Sequence, residues 1–431
     1  MKKYIFIALL FAPLCCFGQH KWTLQQCIDT ALVHNWNVKK YDLSGKSKKV
    51  AYDQSRQDLL PIVNASVGQD FYYGRSLSLN NVYENTNSNQ SSLNVSASVT
   101  LFDGLKIKHN IEARNADLKA AYAEKQLQQD NVKVDVSQAY LQVLLDKELL
   151  QIAIDELALT QSKIEKQKAL VANGKLAEGE VYALQAQEGK EELSRTRDDN
   201  TLKLDLLTLA QLMVIDDIEH FDVDVPDSFP EQELQLISAD DIYQSAITHR
   251  PEIKSAEYHL LSSQKDVLVN RAAGYPSLSF GANTGTTYYY LGNTLNSPFN
   301  SQLKNNWNSS LGFTLSIPIF NKFEVNNSVK QAQITVETYK VDLAMAKSDL
   351  KKSIQQAYYN AVAAKARWEA AQTSEKASVE AYRFANQKYE SGRASLYDLY
   401  QAKSDLTQVL GEKAQAKFEY IFRMKILELL K

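Results

Sequence analysis

A seven-residue apolar repeat runs through a stretch that contains no proline or glycine between Gly104 and Gly174. Six residues at this spacing form the repeat: Val136, Val143, Leu150, Leu157, Ile164 and Val171. A strict seven-residue repeat places one apolar stripe on one face of a long helix, and that stripe needs a partner helix. A helix of about 65 residues without a breaker is on the order of 100 Å long. Ordinary globular cores do not use helices of that length.

The same pattern occurs a second time in the chain. Phe320 and Gly392 are separated by the same length of chain as Phe102 and Gly174. The stripe recurs with one charged exception, at Ile354, Ala361, Trp368, Glu375, Tyr382 and Tyr389. The segments before the two long helices also align without a gap, and the second copy is slightly longer between Pro276 and Phe320. Two such copies predict a duplicated structural unit rather than a solenoid of many repeats.

The duplication predicts four regions along the chain. Residues 1–18 form a leader, residues 19–212 the first repeat, residues 213–237 a linker and residues 238–431 the second repeat. The linker is rich in aspartate and contains prolines, which interrupts the helical pattern.

Residues 1–18 have the pattern of a secretory signal peptide. Two lysines precede a short apolar run, and a small residue predicts cleavage before Gln19. The run is too short to favour a membrane anchor. Cys15 and Cys16 leave lipidation of the N-terminus open. Cys27 is then the one cysteine of the mature chain, so packing or assembly must stabilise the fold in place of an internal disulfide.

Each repeat is expected to open with an amphipathic helix. Thr23 and Ser238 are the predicted N-caps, because each is followed three residues later by a side chain that completes a capping box. Pro61 and Pro276 are expected to end these helices.

Alternation of apolar and small polar residues predicts two strands in each repeat. The expected strands lie near residues 64–72, 93–102, 277–290 and 307–319. Lengths near ten residues with a two-residue period are typical of transmembrane strands. One set of side chains is predicted to face lipid: Val95, Val99, Leu311 and Phe313. The alternate set is predicted to face water: Ser96, Ser98, Thr314 and Ser316. Soluble hairpins with one face on a core are the alternative.

Four strands cannot close a barrel alone, and an open strand edge is not tolerated in lipid. Several chains must therefore share one barrel. Two chains would give eight strands and a filled interior, and three would give twelve strands and a wider pore.

Composition excludes several classes of function. The chain has 48 basic and 51 acidic residues without a basic stripe, so no nucleic-acid partner is expected. No metal-binding, phosphate-binding or nucleophile motif is present, and six scattered histidines do not form one. We therefore expect no enzyme activity, cofactor or metal. An exported coiled-coil protein that binds partners without conducting is the alternative to a membrane channel.

Each long helix is expected to end in a tight turn that leads to a returning helix. The two tips lie near residues 174–180 and 392–398. Gly174 and Gly392 are the predicted turn glycines, since glycine at this position ends a helix. Ser395 is the predicted N-cap of the second returning helix. In the first tip, Glu180 is expected among the helix-start carboxylates that the helix dipole favours.

Together, the signal peptide, the duplicated helix–strand–strand–helix order and the glycine tips resemble the TolC-like outer-membrane efflux family. The resemblance covers essentially the whole mature chain. It implies a mostly helical α+β fold, with a trimeric twelve-stranded transmembrane β-barrel that takes four strands from each chain. The barrel would continue into a long periplasmic α-helical barrel of coiled-coil hairpins. It also implies a homotrimer in outer-membrane lipid that works with a periplasmic adaptor protein and an inner-membrane transporter.

The family resemblance implies a periplasmic gate at the helix tips. Asp398 and Glu180 match the family's tip carboxylates, and Tyr389 matches a tyrosine three residues before the turn glycine. The second acidic position of the family's constriction falls on Gln401, and the family's arginine position falls beside Arg393. We expect the ring of carboxylates to close the resting channel with cationic or hydroxyl partners. The cargo stays open among drugs, metals and polypeptides.

Overall fold

The computed structural model describes residues 21–77, 81–85, 87–175, 177–226, 238–292 and 295–430. The predicted signal peptide with Cys15 and Cys16 lies outside the described residues, as do residues 227–237 of the predicted linker. The described elements follow one another as β1 (Lys21–Trp22), α1 (Leu24–His34), α2 (Trp36–Gln57), β2 (Ile62–Tyr72), β3 (Arg75–Leu77), β4 (Tyr83–Asn85), β5 (Ser88–Phe102), α3 (Lys106–Ala172), α4 (Glu178–Met213), β6 (Asp222–Val223), α5 (Ala239–Ala246), α6 (Pro251–Ala272), β7 (Ser277–Leu291), α7 (Phe299–Asn305), β8 (Asn308–Ser316), α8 (Glu324–Glu390) and α9 (Leu396–Leu430).

The two long helices predicted from the apolar repeats are confirmed. Helices α3 and α8 each contain 67 residues. Stripe residues Val136, Val143 and Ile164 of α3 are buried, and so are Ile354 and Ala361 of α8. Among the described residues, no helix combines the length and the hydropathy that a membrane-spanning helix needs.

The four predicted strands form one antiparallel sheet in the order β2-β5-β7-β8. Strands β2, β5 and β7 extend by one to five residues beyond the predicted ranges, whereas β8 ends three residues earlier, at Ser316. The register pairs Val95 with Ala65, Val99 with Phe280 and Phe280 with Phe313. Cross-strand partners share a face of a sheet. The four residues predicted to face lipid therefore share one face of the sheet. Ser96, Ser98, Thr314 and Ser316 lie on the other face.

The apolar face of this sheet is strongly exposed in a single chain. The exposed fractions are 80% for Val67, 75% for Leu311 and 70% for Phe313. Soluble monomers rarely expose a continuous apolar surface of this kind.

Two compact units make up the chain, and each draws on both predicted repeats. The first unit contains the segment up to Tyr41 together with Lys125–Arg250 and Ser348–Lys431, and the second contains Asp42–Glu124 and Pro251–Lys347. The core of the first unit is built around Cys27, Val136, Leu144 and Leu209 from α1, α3 and α4.

In the second unit, four helical segments lie side by side in the same order as the strands. Gly45 of α2 lies against the ring of Tyr122 in α3. His259 of α6 contacts Glu124 of α3 at 2.8 Å, and it stacks on Tyr339 of α8 at a ring separation of 5.7 Å. The helical order is thus α2-α3-α6-α8. Each helix is adjacent in sequence to the strand at the matching position of the sheet.

The opening helix of each repeat is divided, contrary to the prediction of one continuous helix. Asn35 ends α1, and its side-chain oxygen accepts a hydrogen bond of 2.9 Å from the backbone N–H of Asn37 at the start of α2. In the second repeat Pro251 begins α6, because proline suits a first helical turn but disfavours helical geometry in the residue before it. The predicted N-caps at Thr23 and Ser238 are confirmed by their hydrogen bonds.

Paired local features support the predicted duplication, which stays a prediction. Residues with positive φ occur at both strand-to-helix turns, at Gly104 and Leu105 in the first copy and at Lys322 and Phe323, the aligned positions, in the second. At the other end of the repeat, Asn35 donates to the carbonyl oxygen of Leu212 at 3.0 Å, and Arg250 donates to that of Leu429 at 2.9 Å. Each acceptor is the penultimate residue of a returning helix.

A buried carboxyl group lies in the first unit, on α3. Asp146 is 4% exposed, and one of its oxygens accepts a hydrogen bond of 3.0 Å from Gln142. Its other oxygen, Oδ2, has no donor among the described residues. Burial, followed by the neighbouring Asp205 carboxyl group, raises the pKa of Asp146 to about 7. The folded state therefore binds a proton more tightly than the unfolded state. This group lowers stability as pH rises from about 4 to about 7, and the loss stays constant above that range.

We predict that Asp146→Asn raises the free energy of unfolding by about 1–3 kcal/mol at pH 8, because it removes a buried unpaired carboxylate. The gain should shrink as pH falls through 7 and vanish near pH 4, where the wild-type group is protonated in both states. Urea unfolding of the variant and the wild type at several pH values measures this difference in the free energy of unfolding. Asp155→Asn is the matched control, since Asp155 accepts the same type of bond from Gln151 but is exposed. An equal effect of both substitutions would contradict the prediction.

Candidate functional site

The two hairpin turns have the same backbone geometry. Gly174 and Gly392 have φ values of +66° and +73°, which glycine adopts without strain. The N–H of Gly174 donates to Val171 O at 2.9 Å, and the next N–H donates to Leu170 O at 3.0 Å. The second turn repeats this pair of bonds around Gly392. Both long helices thus end in a Schellman motif, which satisfies their last carbonyl groups.

Asp398 forms a reciprocal cap with Ser395 at the start of α9. The N–H and the hydroxyl of Ser395 donate to Asp398 Oδ2 at 3.0 and 2.8 Å, and the N–H of Asp398 donates back to the serine hydroxyl at 3.2 Å. The hydrogen bonds from Ser395 lower the pKa of Asp398, so its carboxylate stays ionised. In one chain, this carboxylate therefore stabilises the returning helix locally.

Tyr389 joins the two hairpins near their turns. Its hydroxyl donates to Glu180 Oε2 of α4 at 3.0 Å, and Gln167 of α3 donates to the same hydroxyl at 2.8 Å. Burial and then the Glu180 carboxylate raise the pKa of Tyr389 to about 12. The hydroxyl therefore keeps its proton at neutral pH and acts as the donor to Glu180.

Two other predicted gate residues are not joined to this link. Arg393 donates its backbone N–H to Lys388 O at 2.8 Å, but its guanidinium group forms no ion pair within the part of the chain that the structure describes. Gln401 donates to Asp405 on the same helix at 2.8 Å. The structure thus brings Tyr389 together with Glu180, and it does not bring Asp398 together with Arg393 in a single chain.

Farther from the turns, a buried lysine connects three helices. Lys403 of α9 donates to Glu191 of α4 at 2.7 Å, to Thr160 of α3 at 2.6 Å and to the carbonyl oxygen of Glu156 at 3.2 Å. The side chains of Lys403 and Glu191 are only 6% and 5% exposed. Removing one partner of a buried ion pair typically costs roughly 3–5 kcal/mol.

The sequence contains a signal for this lysine that apolar patterning misses. On α9, Leu399 and Ala414 are buried, and Lys403 occupies a position on the same buried face. On α4, Glu191 follows the buried Leu184 by seven residues. Charged residues at stripe positions of two helices therefore point to a buried pair.

Further polar contacts join the two hairpins. Lys163 donates to the hydroxyl of Tyr382 at 3.0 Å, and Lys166 pairs with Glu390 at 3.3 Å. Such contacts hold helices together and carry no chemistry of bond formation. Among the described residues, no group of three or more His, Cys, Asp or Glu side chains is arranged to hold a metal ion.

Comparison with known proteins identifies the family. The profile of the outer membrane efflux protein family matches residues 27–213 and 242–421. Over 112 residues the chain is 30% identical to the pyoverdine export outer membrane protein OpmQ of Pseudomonas aeruginosa. That alignment covers 25% of this chain and 22% of OpmQ, so it spans about a fifth of the relative's length.

Solved outer membrane proteins share the fold. The Campylobacter jejuni CmeC channel superposes with a TM-score of 0.82 at 18% identity, over 94% of this chain and 85% of CmeC. VceC from Vibrio cholerae gives a TM-score of 0.78 at 15% identity, over 94% and 95% of the two chains. The open state of the Neisseria gonorrhoeae MtrE channel gives 0.76 at 18% identity, over 94% and 88%. With most of its length matched by the family profile, the chain belongs to the outer membrane efflux protein family, which is located in the outer membrane with a periplasmic extension.

Proposed function

We propose that the protein is the outer-membrane exit duct of a tripartite efflux or secretion system. It would conduct substrates passively from an inner-membrane pump and a periplasmic adaptor to the exterior, without catalysis or a cofactor. The observation that carries this proposal is a four-stranded sheet with one exposed apolar face, joined directly to long helical hairpins.

The two faces of the sheet fit lipid on one side and water on the other. Val67, Leu311 and Phe313 are among the most exposed apolar side chains of the sheet. Transmembrane strands alternate in this way, with apolar side chains towards lipid and small polar ones towards a lumen. The opposite face, with Ser96 and Thr314, would line the pore.

The edge strands and edge helices of the second unit support the proposal that further copies of the chain close a ring. Strands β2 and β8 each have one strand partner among the described residues, and helices α2 and α8 are at the matching edges. Both edge helices carry apolar side chains seven residues apart that are more than half exposed: Leu43 and Val50, and Ile334 and Val341. A head-to-tail contact between unlike edges generates a ring when the rotation from one copy to the next closes. We infer three copies, which gives the twelve strands of the family's barrel.

The proposed gate lies at the hairpin ends. The Tyr389–Glu180 hydrogen bond, supported by Gln167, would hold the two hairpins of one chain together in the resting state. Asp398, Arg393 and Gln401 would act between copies, where the exposed Arg393 guanidinium group is free to pair with a neighbouring carboxylate. Docking of a periplasmic adaptor at the tips would separate the hairpins and open the duct.

The assembly has a direct test. Protein extracted in mild detergent should give the mass of a trimer by native mass spectrometry, because a monomer would leave two strand edges unpaired in lipid. The trimer should also conduct ions in a planar bilayer. A stable folded monomer would exclude the shared barrel. A trimer without conductance would favour an exported coiled-coil interaction protein.

The direction of the sheet faces can be tested on one strand. We expect Phe313→Arg to lower the stability of the folded trimer by about 2–4 kcal/mol if the site lies near the membrane midplane. Thr314→Arg is the matched control, because the adjacent residue faces the proposed lumen and should tolerate the charge. Unfolding in urea from lipid vesicles measures both. An equal loss of stability in the two variants would refute the assignment of one sheet face to lipid and the other to the lumen.

The tip link predicts a change in resting conductance. Tyr389→Phe removes the donor to Glu180 and should raise the resting conductance in planar bilayers severalfold while leaving trimer assembly intact. Tyr397→Phe makes the same chemical change at an exposed tyrosine near the same turn and should have no effect. If Arg393→Ala raises the conductance and Tyr389→Phe does not, closure depends on contacts between copies instead.

A further inference from the structure

The links between the two hairpins are most buried at Lys403. They are more exposed nearer the turns and also farther from them, where the side chains of Lys417 and Glu148 are 31% and 34% exposed. The outermost ion pair, Lys166 with Glu390, is 64% and 53% exposed. The Tyr389–Glu180 hydrogen bond is partly buried. Lys403 and Glu191 are almost completely buried. Water screens and replaces exposed polar contacts easily, whereas a buried pair cannot separate without leaving a charge unpaired.

The bonds of Lys403 fix all three protons of its ammonium group. Its acceptors are a carboxylate of α4, a hydroxyl of α3 and a backbone carbonyl of α3. A lysine ammonium group has three donors, so this set satisfies all of them. Since Lys403 belongs to α9, one side chain binds one hairpin to both helices of the other.

We propose that Lys403 is the fixed pivot of the hairpin opening, an inference that rests on the proposed gating at the tips. When the hairpins part, the Tyr389 and Lys166 links break first, and separation stops at the layer of Lys403. Glu180 and Glu191 are eleven residues apart on α4, so the moving segment beyond the pivot is about 16 Å long on that helix. Opening is then a local splaying of the hairpin ends rather than a separation along the full length of the helices.

Distances between spin labels test the pivot directly. One label pair, at Lys175 and Ser391, reports on the tips, and a second pair, at Gln151 and Gln408, lies beyond Lys403. All four positions are exposed. The native Cys27 does not interfere, because it is fully buried and burial raises the pKa of its thiol to about 12. Labelled chains diluted into unlabelled ones give distances within one chain.

In the double variant Tyr389→Phe/Glu180→Gln, the tip pair should shift to longer distances while the second pair keeps its wild-type distance. Adding Lys403→Ala should lengthen the second pair as well. Adding Lys413→Ala instead is the control. It should leave the second distance unchanged, because Lys413 binds Glu375 within its own hairpin at 2.7 Å. If Lys403→Ala prevents folding, Glu191→Gln provides the milder weakening of the same pair and should broaden the second distance in the same direction.

Three outcomes would overturn the pivot. In the first, the distance between the labels at Gln151 and Gln408 lengthens while Lys403 is intact. In the second, that distance stays unchanged when the Lys403–Glu191 ion pair is weakened. In the third, the distance between the tip labels stays the same when the Tyr389–Glu180 link is removed. Failure of the proposed duct is distinguishable from these, since it appears as absence of bilayer conductance in the wild-type trimer. The distance measurements do not depend on conductance.

Discussion

Unpaired backbone groups at the edges of the four-stranded sheet are the constraint on which the rest of the proposed assembly depends. Strands β2 and β8 have one strand partner each among the described residues, and a membrane offers no water to satisfy the other side. An antiparallel sheet with one apolar face is therefore incomplete in lipid until further copies extend it. The helices of the second unit follow the order of the strands, so the same copies would close both layers. Such closure would explain why the edge helices expose apolar residues at seven-residue spacing.

The passage from strand to helix places a second demand on the backbone. Leu105, Lys322 and Phe323 have positive φ values, although left-handed geometry costs a residue with a side chain roughly 1–2 kcal/mol. The same geometry occurs at both strand exits, at the sequence offset that relates the two long helices. A turn that redirects the chain from the sheet into a 67-residue helix evidently leaves little choice of backbone angles. Asp103 adds to the first turn by accepting a hydrogen bond of 2.9 Å from the N–H of Ile107.

Sequence periodicity predicted the helices and strands well, but it predicted the side-chain contacts between them poorly. The repeats through Val136 and Ile354 predicted α3 and α8. Alternation around Val95 grouped residues that the strand register places on one face. The break at Asn35 was missed because one of the two hydrogen bonds of its side chain, the bond to Leu212, joins residues far apart in sequence. Lys403 was missed because patterning treats a lysine as solvated, and only packing shows that its charge is buried and paired. For the gate, the family resemblance selected Tyr389 and Glu180 but could not tell which carboxylate the tyrosine binds.

Protonation states at the hairpin ends indicate how the proposed gate would respond to its surroundings. Tyr389, whose pKa is raised to about 12, keeps its proton, and Asp398, whose pKa is lowered by Ser395, stays ionised. Neither group changes charge between about pH 5 and pH 8, the range in which only groups with a pKa near neutrality titrate. Asp146 is such a group, but its buried carboxyl group interacts with Gln142 and Asp205, which are not part of the tip link. In the proposed mechanism, the tip link would therefore open when a partner pulls the hairpins apart or competes for the Tyr389 hydroxyl, rather than through titration of Tyr389 or Asp398.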